Sequence, residues 1–352
     1  MKKIILTGGG TAGHVTPNIA LLPELQKKGF SVEYIGSQAG IEKELISNLN
    51  IPYHRISSGK LRRYFDFKNV TDTVRVVKGV ADATKVLKKV KPKIIFSKGG
   101  FVTVPVIVAA HFLKIPVIIH ESDITPGLAN RIAIPLSTYV CASFPETINH
   151  LPPEKAVLTG SPIRENLFIG KEKIGRTLCS FPSSKPIVLI MGGSLGSVRI
   201  NQCVRSALPT LLEKFNIIHI CGKDNLDKEI SAEGYVQFEY VSKELPHIFA
   251  CSDLIISRAG SNSIYEFLAL KKPNLLIPLT KEASRGDQIL NAKSFSEQGF
   301  SKVLPEESMT EQTLYNEISA LYNERSSFIA KMEASNLSNG VSEIMKLIDR
   351  LT

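Results

Sequence analysis

Residues 4–13, IILTGGGTAG, and residues 188–197, VLIMGGSLGS, repeat one design: an apolar run of strand length enters a glycine-rich turn, and a helical pattern follows. That repeat constrains the fold more than any other feature of the chain. An unbroken apolar run marks a strand buried on both faces, as in a parallel sheet covered by helices. Such runs recur at 3–6, 32–35, 53–56, 94–97, 117–120 and 139–142. They start again at 186–191, 217–221, 236–240, 254–257, 275–278 and 302–304, with amphipathic stretches such as 19–28 and 70–90 between strands of the first set. Strands alternating with helices predict an α/β protein of doubly wound parallel sheets, and the restart predicts two of them. A chain of 352 residues is long enough to split into two cores. The join is placed near LTGSPIR, residues 158–164, giving domains 1–163 and 164–339, with a final helix over about 340–352 able to pack back on the first.

Charge separates the halves. Of the net +10, residues 1–164 hold 22 Lys/Arg against 11 Asp/Glu, whereas residues 165–352 hold 21 against 22. Residues 51–100 alone carry 13 basic and 3 acidic side chains. The asymmetry predicts an anionic partner for the first domain only, either nucleic acid or an anionic membrane surface. No recognition motif or paired aromatic platform supports nucleic acid. The five cysteines have no C-x-x-C or Cys/His ligand spacing, so neither a disulfide framework nor a metal site is expected. The longest apolar stretch, 101–113, carries Pro105 and His111 and is too short to span a bilayer. With no leader pattern either, the chain is expected to be neither secreted nor membrane-spanning.

A glycine turn between strand and helix bares backbone N–H groups at the positive end of the helix dipole, which makes it an anion site. Gly8, Gly10 and Gly13 satisfy G-x-G-x-x-G, the dinucleotide fingerprint, although such glycines also serve close packing alone. A dinucleotide site further needs an acid at the end of the second strand. FSVEYIGSQAG ends that strand in Gly36 and Ser37, with Glu33 inside it, so NAD is not expected. Two anion turns suit a reaction between two phosphorylated partners instead.

Eight segments in order resemble the MurG family of glycosyltransferases: GGGTAGHVTP, GKLRRYFDFKN, SKGGFVTVP, HESDITPGLAN, GSPIR, GGSLGS, SRAGSNSIYE and DQILNA. The resemblance implies the GT-B fold, two Rossmann-like domains facing a cleft, with the acceptor on the N-terminal one and the UDP-sugar on the C-terminal one. It implies an inverting transferase that moves N-acetylglucosamine from UDP-N-acetylglucosamine to the 4-hydroxyl of undecaprenyl-diphospho-N-acetylmuramoyl-pentapeptide. No cofactor and no metal are implied, and the chain has no D-x-D motif. The implied place is the cytoplasmic face of the cell membrane, held peripherally through anionic lipids.

On the donor side the resemblance puts Gly192, Gly193, Ser194 and Gly196 at the UDP diphosphate, with Arg164 nearby. Val241 would meet the uracil through its backbone. Ser261, Asn262, Ser263, Ile264 and Tyr265 would open a helix whose Glu266 takes the ribose hydroxyls; Gln288 and Asn291 would face the transferred sugar. From the residues alone, Glu266 equally completes a capping box, and Arg164 equally reads as a solvated side chain at a junction. Asp123 and Asp287 depart from the family pattern, which has amides in their neighbourhoods, and are the weakest donor-sugar candidates.

On the acceptor side Gly10, Thr11, Ala12, Gly13, Gly99 and Gly100 would gather around the lipid diphosphate or the donor sugar. His14 is the candidate base, because inverting transfer needs a group to take the hydroxyl proton, and a helix N-terminus keeps an imidazole neutral. A capping or phosphate-binding His14 is the alternative. His120 and Glu121 read as a pair lining the cleft. Lys60, Arg62 and Arg63 around Leu61, Tyr64 and Phe65, and Phe112 and Leu113 between His111 and Lys114, predict docking on anionic headgroups. A soluble UDP-N-acetylglucosamine 2-epimerase of the same two-domain build is the competing reading, though it has no use for a basic domain.

Overall fold

A computed structural model of the chain describes residues 2–59, 68–181, 185–193, 196–284, 286–337 and 339–352, with 68–73 described as backbone only. It has two compact units: Met1–Arg164 with Asn339–Thr352, and Glu165–Ser338.

The first unit is built on seven strands: β1 (Lys3–Thr7), β2 (Ser31–Ser37), β3 (Tyr53–Ile56), β4 (Ile94–Ser97), β5 (Val117–Glu121), β6 (Tyr139–Ala142) and β7 (Ala156–Leu158). They pair in parallel in the order β3-β2-β1-β4-β5-β6-β7. Helices α1 (Thr16–Ala20), α2 (Leu22–Lys27), α3 (Ile41–Ser47), α4 (Lys68–Val90), α5 (Thr103–Phe112) and α6 (Leu128–Ala133) fill the connections. Alternate side chains of β1 serve the two faces, as a pleated strand requires. Ile4 and Leu6 enter a layer with Leu21, Leu25 and Ile46, while Ile5 enters another with Leu87, Val106 and Ile107. Each such side chain, wholly buried, contributes roughly 1.5–3 kcal/mol. The last helix, α13 (Val341–Arg350), adds Ile344, Met345, Leu347 and Ile348 to the Ile4 layer.

The second unit holds β8 (Ile187–Met191), β9 (Asn216–Ile220), β10 (Tyr235–Phe238), β11 (Leu254–Ser257), β12 (Asn274–Leu276) and β13 (Ser301–Val303), parallel in the order β10-β9-β8-β11-β12-β13. Its helices are α7 (Glu172–Cys179), α8 (Val198–Lys214), α9 (Leu245–Cys251), α10 (Ser261–Ala269), α11 (Asp287–Glu297) and α12 (Glu311–Glu333). Val188, Ile190 and Ile256 of the sheet pack with Ile200 and Val204 of α8 and Leu314 and Ile318 of α12. Every run read as a strand from the sequence contains one, with ends that differ by a residue or two, and the short edge strand Ala156–Leu158 precedes the Gly-Ser-Pro of the expected join.

In both sheets the order reverses beside the unit's first strand, between β1 and β4 and between β8 and β11. Turns leaving neighbouring strands diverge at such a point and open a crevice at the carboxyl ends, where α/β proteins bind ligands. The glycine turns stand there. Among the described residues no helix is long and apolar enough to cross a membrane.

Candidate functional site

At the first switch point the turns after β1 and β4 interlock. The Gly9 N–H donates to the Gly99 carbonyl at 3.3 Å, and a Cβ on Gly100 would lie 2.2 Å from the Gly9 oxygen. Gly99 and Gly100 both have left-handed backbone, φ +94° and +88°, which only glycine adopts freely. Gly10, at φ +87°, leads to exposed Thr11 and a single 3₁₀ turn, Ala12–His14. Thr11 Oγ1 lies 3.0 Å from His14 Nδ1, and the His14 carbonyl passes so close to Gly8 that a Cβ there would be 2.3 Å away.

The His14 ring is half-buried, and its pKa falls to about 4. Burial is the largest cause and the Lys98 ammonium the next; a hydrogen bond with the Gly9 backbone and the Glu42 carboxylate act the other way. The sequence attributes a lowered His14 pKa to a helix N-terminus; the structure gives it other causes. The helices after His14 are only five and six residues long, and the lowering comes from burial and a neighbouring cation rather than from a helix dipole.

Two buried charges behind these turns escaped the sequence reading. Lys98, at the end of β4, is wholly buried; its Nζ donates to His120 Nδ1 at 2.7 Å and to the Ser122 hydroxyl. Burial lowers Lys98 to about 8, against the pull of Glu121, Asp123 and Cys141. His120 Nε2 donates to the Gly160 carbonyl at 2.9 Å, and burial, then Lys98, holds this ring well below its usual pKa. Glu121 accepts from the N–H groups of Ser122, Asp123 and Gly127 and from Asn130 Nδ2 at 2.8–3.0 Å. His120 and Glu121 are therefore internal braces of the β5 end, not lining residues as the sequence suggested. Asp123 is half-buried, and its carbonyl accepts from the Thr147 hydroxyl.

The second buried charge is Glu42, in the first turn of α3. It accepts from the Gly10 N–H at 3.2 Å and from the Ser37 N–H at 3.0 Å. The only sequence signal for it is an acid two residues past a glycine, in GSQAGIE.

In the second unit, Gly193 and Gly196 have left-handed backbone, and a Cβ on Gly196 would lie 2.0 Å from the Cys221 carbonyl. Gly192 is equally tight, with the Ser197 nitrogen 2.5 Å from its notional Cβ. Ser194 lies outside the described residues. The turn feeds α8, seventeen residues long and capped by Ser197, whose Oγ accepts from the Ile200 N–H. Arg258 Nη2 donates to the same Oγ at 2.7 Å and to Glu306 at 2.6 Å, so the guanidinium ties the turn after β11 to the cap of α8.

Ser261 begins α10 and is buried; Asn262, Ser263 and Glu266 are half-buried. The N-cap is Gly260 with no side-chain cap bond, so Glu266 does not belong to a capping box. Ile264 and Tyr265 are wholly buried, Tyr265 edge-on to Phe295, which leaves only their backbone for a ligand. Val241 is buried beside exposed Tyr240. Gln288 Oε1 accepts from the Leu279 N–H at 3.1 Å, and Asn291, buried, donates to the Ala259 carbonyl at 3.2 Å. Both amides thus brace turns at the strand ends. Asp287 starts α11, half-buried. Arg164, also half-buried, closes the first stretch of unit one.

Of the basic apolar patch, Lys60, Leu61, Arg62, Arg63, Tyr64 and Phe65 lie outside the described residues. Phe112 is 74% exposed, but Leu113 packs against the core and is no anchor. Val74 and Val77 of α4 are exposed as well, at 65% and 66%.

Two doubly wound parallel-sheet units, each with a glycine turn at its switch point, are the architecture of a GT-B glycosyltransferase. Residues 4–141 match the glycosyltransferase family 28 N-terminal domain, and residues 187–348 match the family's C-terminal domain. The chain is 60% identical over its full length, and the full length of the relative, to a Clostridium botulinum (strain Loch Maree / Type A3) protein. That protein is named UDP-N-acetylglucosamine--N-acetylmuramyl-(pentapeptide) pyrophosphoryl-undecaprenol N-acetylglucosamine transferase. The crystal structure of Acinetobacter baumannii MurG matches with a TM-score of 0.78 at 26% identity, covering 99% of this chain and 100% of that one. Neisseria meningitidis UDP-GlcNAc 2-epimerase matches with a TM-score of 0.72 at 16% identity, covering 99% and 100%, a likeness of fold alone. The chain belongs to glycosyltransferase family 28.

Proposed function

We infer that this chain is the hexosyltransferase that moves N-acetylglucosamine from UDP-N-acetylglucosamine to the muramoyl 4-hydroxyl of undecaprenyl-diphospho-N-acetylmuramoyl-pentapeptide, making lipid II for peptidoglycan. The observation that carries this is the 60% identity, end to end, to a protein named for that reaction. The epimerase likeness, at 16% identity, extends to the fold and no further.

We assign the steps as follows. With its proton on Nδ1 and bonded to Thr11, His14 keeps a lone pair on Nε2. That nitrogen takes the hydroxyl proton as the acceptor oxygen attacks the anomeric carbon. The bond to the diphosphate breaks, UDP leaves with the electron pair, and the configuration inverts. Charge growing on the diphosphate meets backbone N–H groups at Gly192, Gly193 and Gly196 and the N-terminus of α8. Glu266 supplies two acceptor oxygens for the ribose, and Arg164 a cation for the diphosphate. Gly99 and Gly100, with Lys98 behind them, suit the acceptor's diphosphate better than Gly10, whose N–H Glu42 already holds.

The basic first half and the exposed Val74, Val77 and Phe112 support peripheral attachment to an anionic membrane, at the cytoplasmic face where a nucleotide sugar is available. Co-sedimentation should require anionic vesicles and weaken with salt; equal binding to neutral vesicles would remove the lipid partner. For the reaction itself, UDP release should depend on the lipid-linked muramoyl acceptor. Release at the same rate without it would contradict the transferase reading.

A further inference from the structure

We propose that Glu42 is a positioning residue for transfer: seated among three glycines, its carboxylate holds the Gly10 amide and so the turn that carries His14. The proposal rests on the reading of His14 as the base.

Two glycines from separate segments, Gly9 and Gly40, have their absent side chains explained by this one group, and Gly36 by Tyr53 together with it. A Cβ on Gly9 would lie 2.6 Å from the Glu42 carboxyl and one on Gly40 2.2 Å from it, while one on Gly36 would lie 2.2 Å from the Tyr53 hydroxyl and 2.9 Å from Glu42 Cγ. Gly9 and Gly36 have ordinary negative φ, so backbone strain does not demand glycine at either. The G-x-G-x-x-G stretch thus makes room for a resident anion.

Glu42 is wholly buried, and an ionised carboxylate is costly there unless donors surround it. Three do: the N–H and hydroxyl of Ser37 on Oε1, and the Gly10 N–H on Oε2. Burial pushes its pKa up, but the Ser37 and backbone bonds outweigh that and leave it lowered. Tyr53, whose hydroxyl donates to the Ser37 carbonyl, fixes the other side of the pocket. Glu42 therefore clamps the end of β2 to the turn after β1. Thr11, which meets the His14 ring, directly follows Gly10. Two charged groups act on that ring, Lys98 from the end of β4 and Glu42 from α3, with opposite signs.

The test is Glu42→Gln in the full-length enzyme, beside His14→Ala, with folding followed by thermal unfolding and transfer by UDP release. Misplacing a base by about 1 Å costs up to about 100-fold, so Glu42→Gln should lower turnover about 10- to 100-fold. Affinity for UDP-N-acetylglucosamine should stay within about twofold of wild type. The acidic limb of kcat/KM should move to lower pH, because the ring loses a neighbour that favours its protonated form; a merely structural defect would not move it. Gly40→Ala, which drives a Cβ into the carboxylate, should reproduce the turnover loss, and the double variant should lose little more.

A folded Glu42→Gln enzyme with wild-type turnover and an unmoved limb overturns the proposal while leaving the base in place. Full turnover in His14→Ala overturns the base reading itself. If Glu42→Gln fails to fold, Ser37→Ala keeps the carboxylate and removes one donor. A loss of several-fold at unchanged donor affinity then supports the clamp, and no loss overturns it.

Discussion

The turn after β1 is held by a buried carboxylate, whereas the cap that follows the turn after β8 is held by a buried guanidinium. Glu42 takes the Gly10 amide in the first, and Arg258 braces Ser197 in the second. The first turn runs into one 3₁₀ turn and two short helices; the second runs into a capped helix of seventeen residues. One sequence pattern thus makes two different devices. One carries a half-buried imidazole and has its own anion; the other leads into a long helix whose N-terminus has the positive end of the dipole. A glycine motif specifies close backbone approach, and the neighbours decide what approaches.

That contrast can be broken in three places. His14→Ala should lower turnover by about 10²–10⁴, the usual share of a general base, and leave donor affinity nearly unchanged, since the proposed UDP contacts lie in the other unit. A collapse of donor affinity in calorimetry would make the first turn a binding device like the second. Glu266→Ala should weaken donor binding by roughly 1.5–3 kcal/mol through loss of charge-assisted bonds. Wild-type affinity in that variant would remove the ribose contact. Ser197→Ala, which removes the α8 cap, should cost about 0.5–2 kcal/mol of stability in urea unfolding. A smaller loss would show that the Ser197 hydroxyl, and with it the Arg258 brace, does little for α8.

The fold was legible because parallel strands are nearly continuous apolar runs. Ile4, Ile5 and Leu6 announce β1 without help from the rest of the chain. The glycines were equally visible, since chain reversal and close packing leave a local mark. The site was less so, because its electrostatics are tertiary. Lys98 reads as one more basic residue in a basic stretch, and only its burial against His120 makes it a charge acting on His14. Glu42 reads as an ordinary first-turn acid until Gly9, Gly36 and Gly40 come together around it. Gln288 and Asn291 do share a helix, α11, yet their bonds to the Leu279 N–H and the Ala259 carbonyl are invisible in sequence.

If His14 is the base, the first turn must present its imidazole unprotonated. The pH dependence of kcat/KM for the lipid-linked acceptor, wild type beside His14→Ala, tests it most directly. A base must be unprotonated to act, so the rate should fall as pH drops through the imidazole pKa and stay level above it. Burial and Lys98 set that pKa at about 4, which places the limb well below the usual histidine value of about 6.5. The limb should disappear with His14. A limb near 6.5, or one that survives unchanged in His14→Ala, would mean that His14 is not the base.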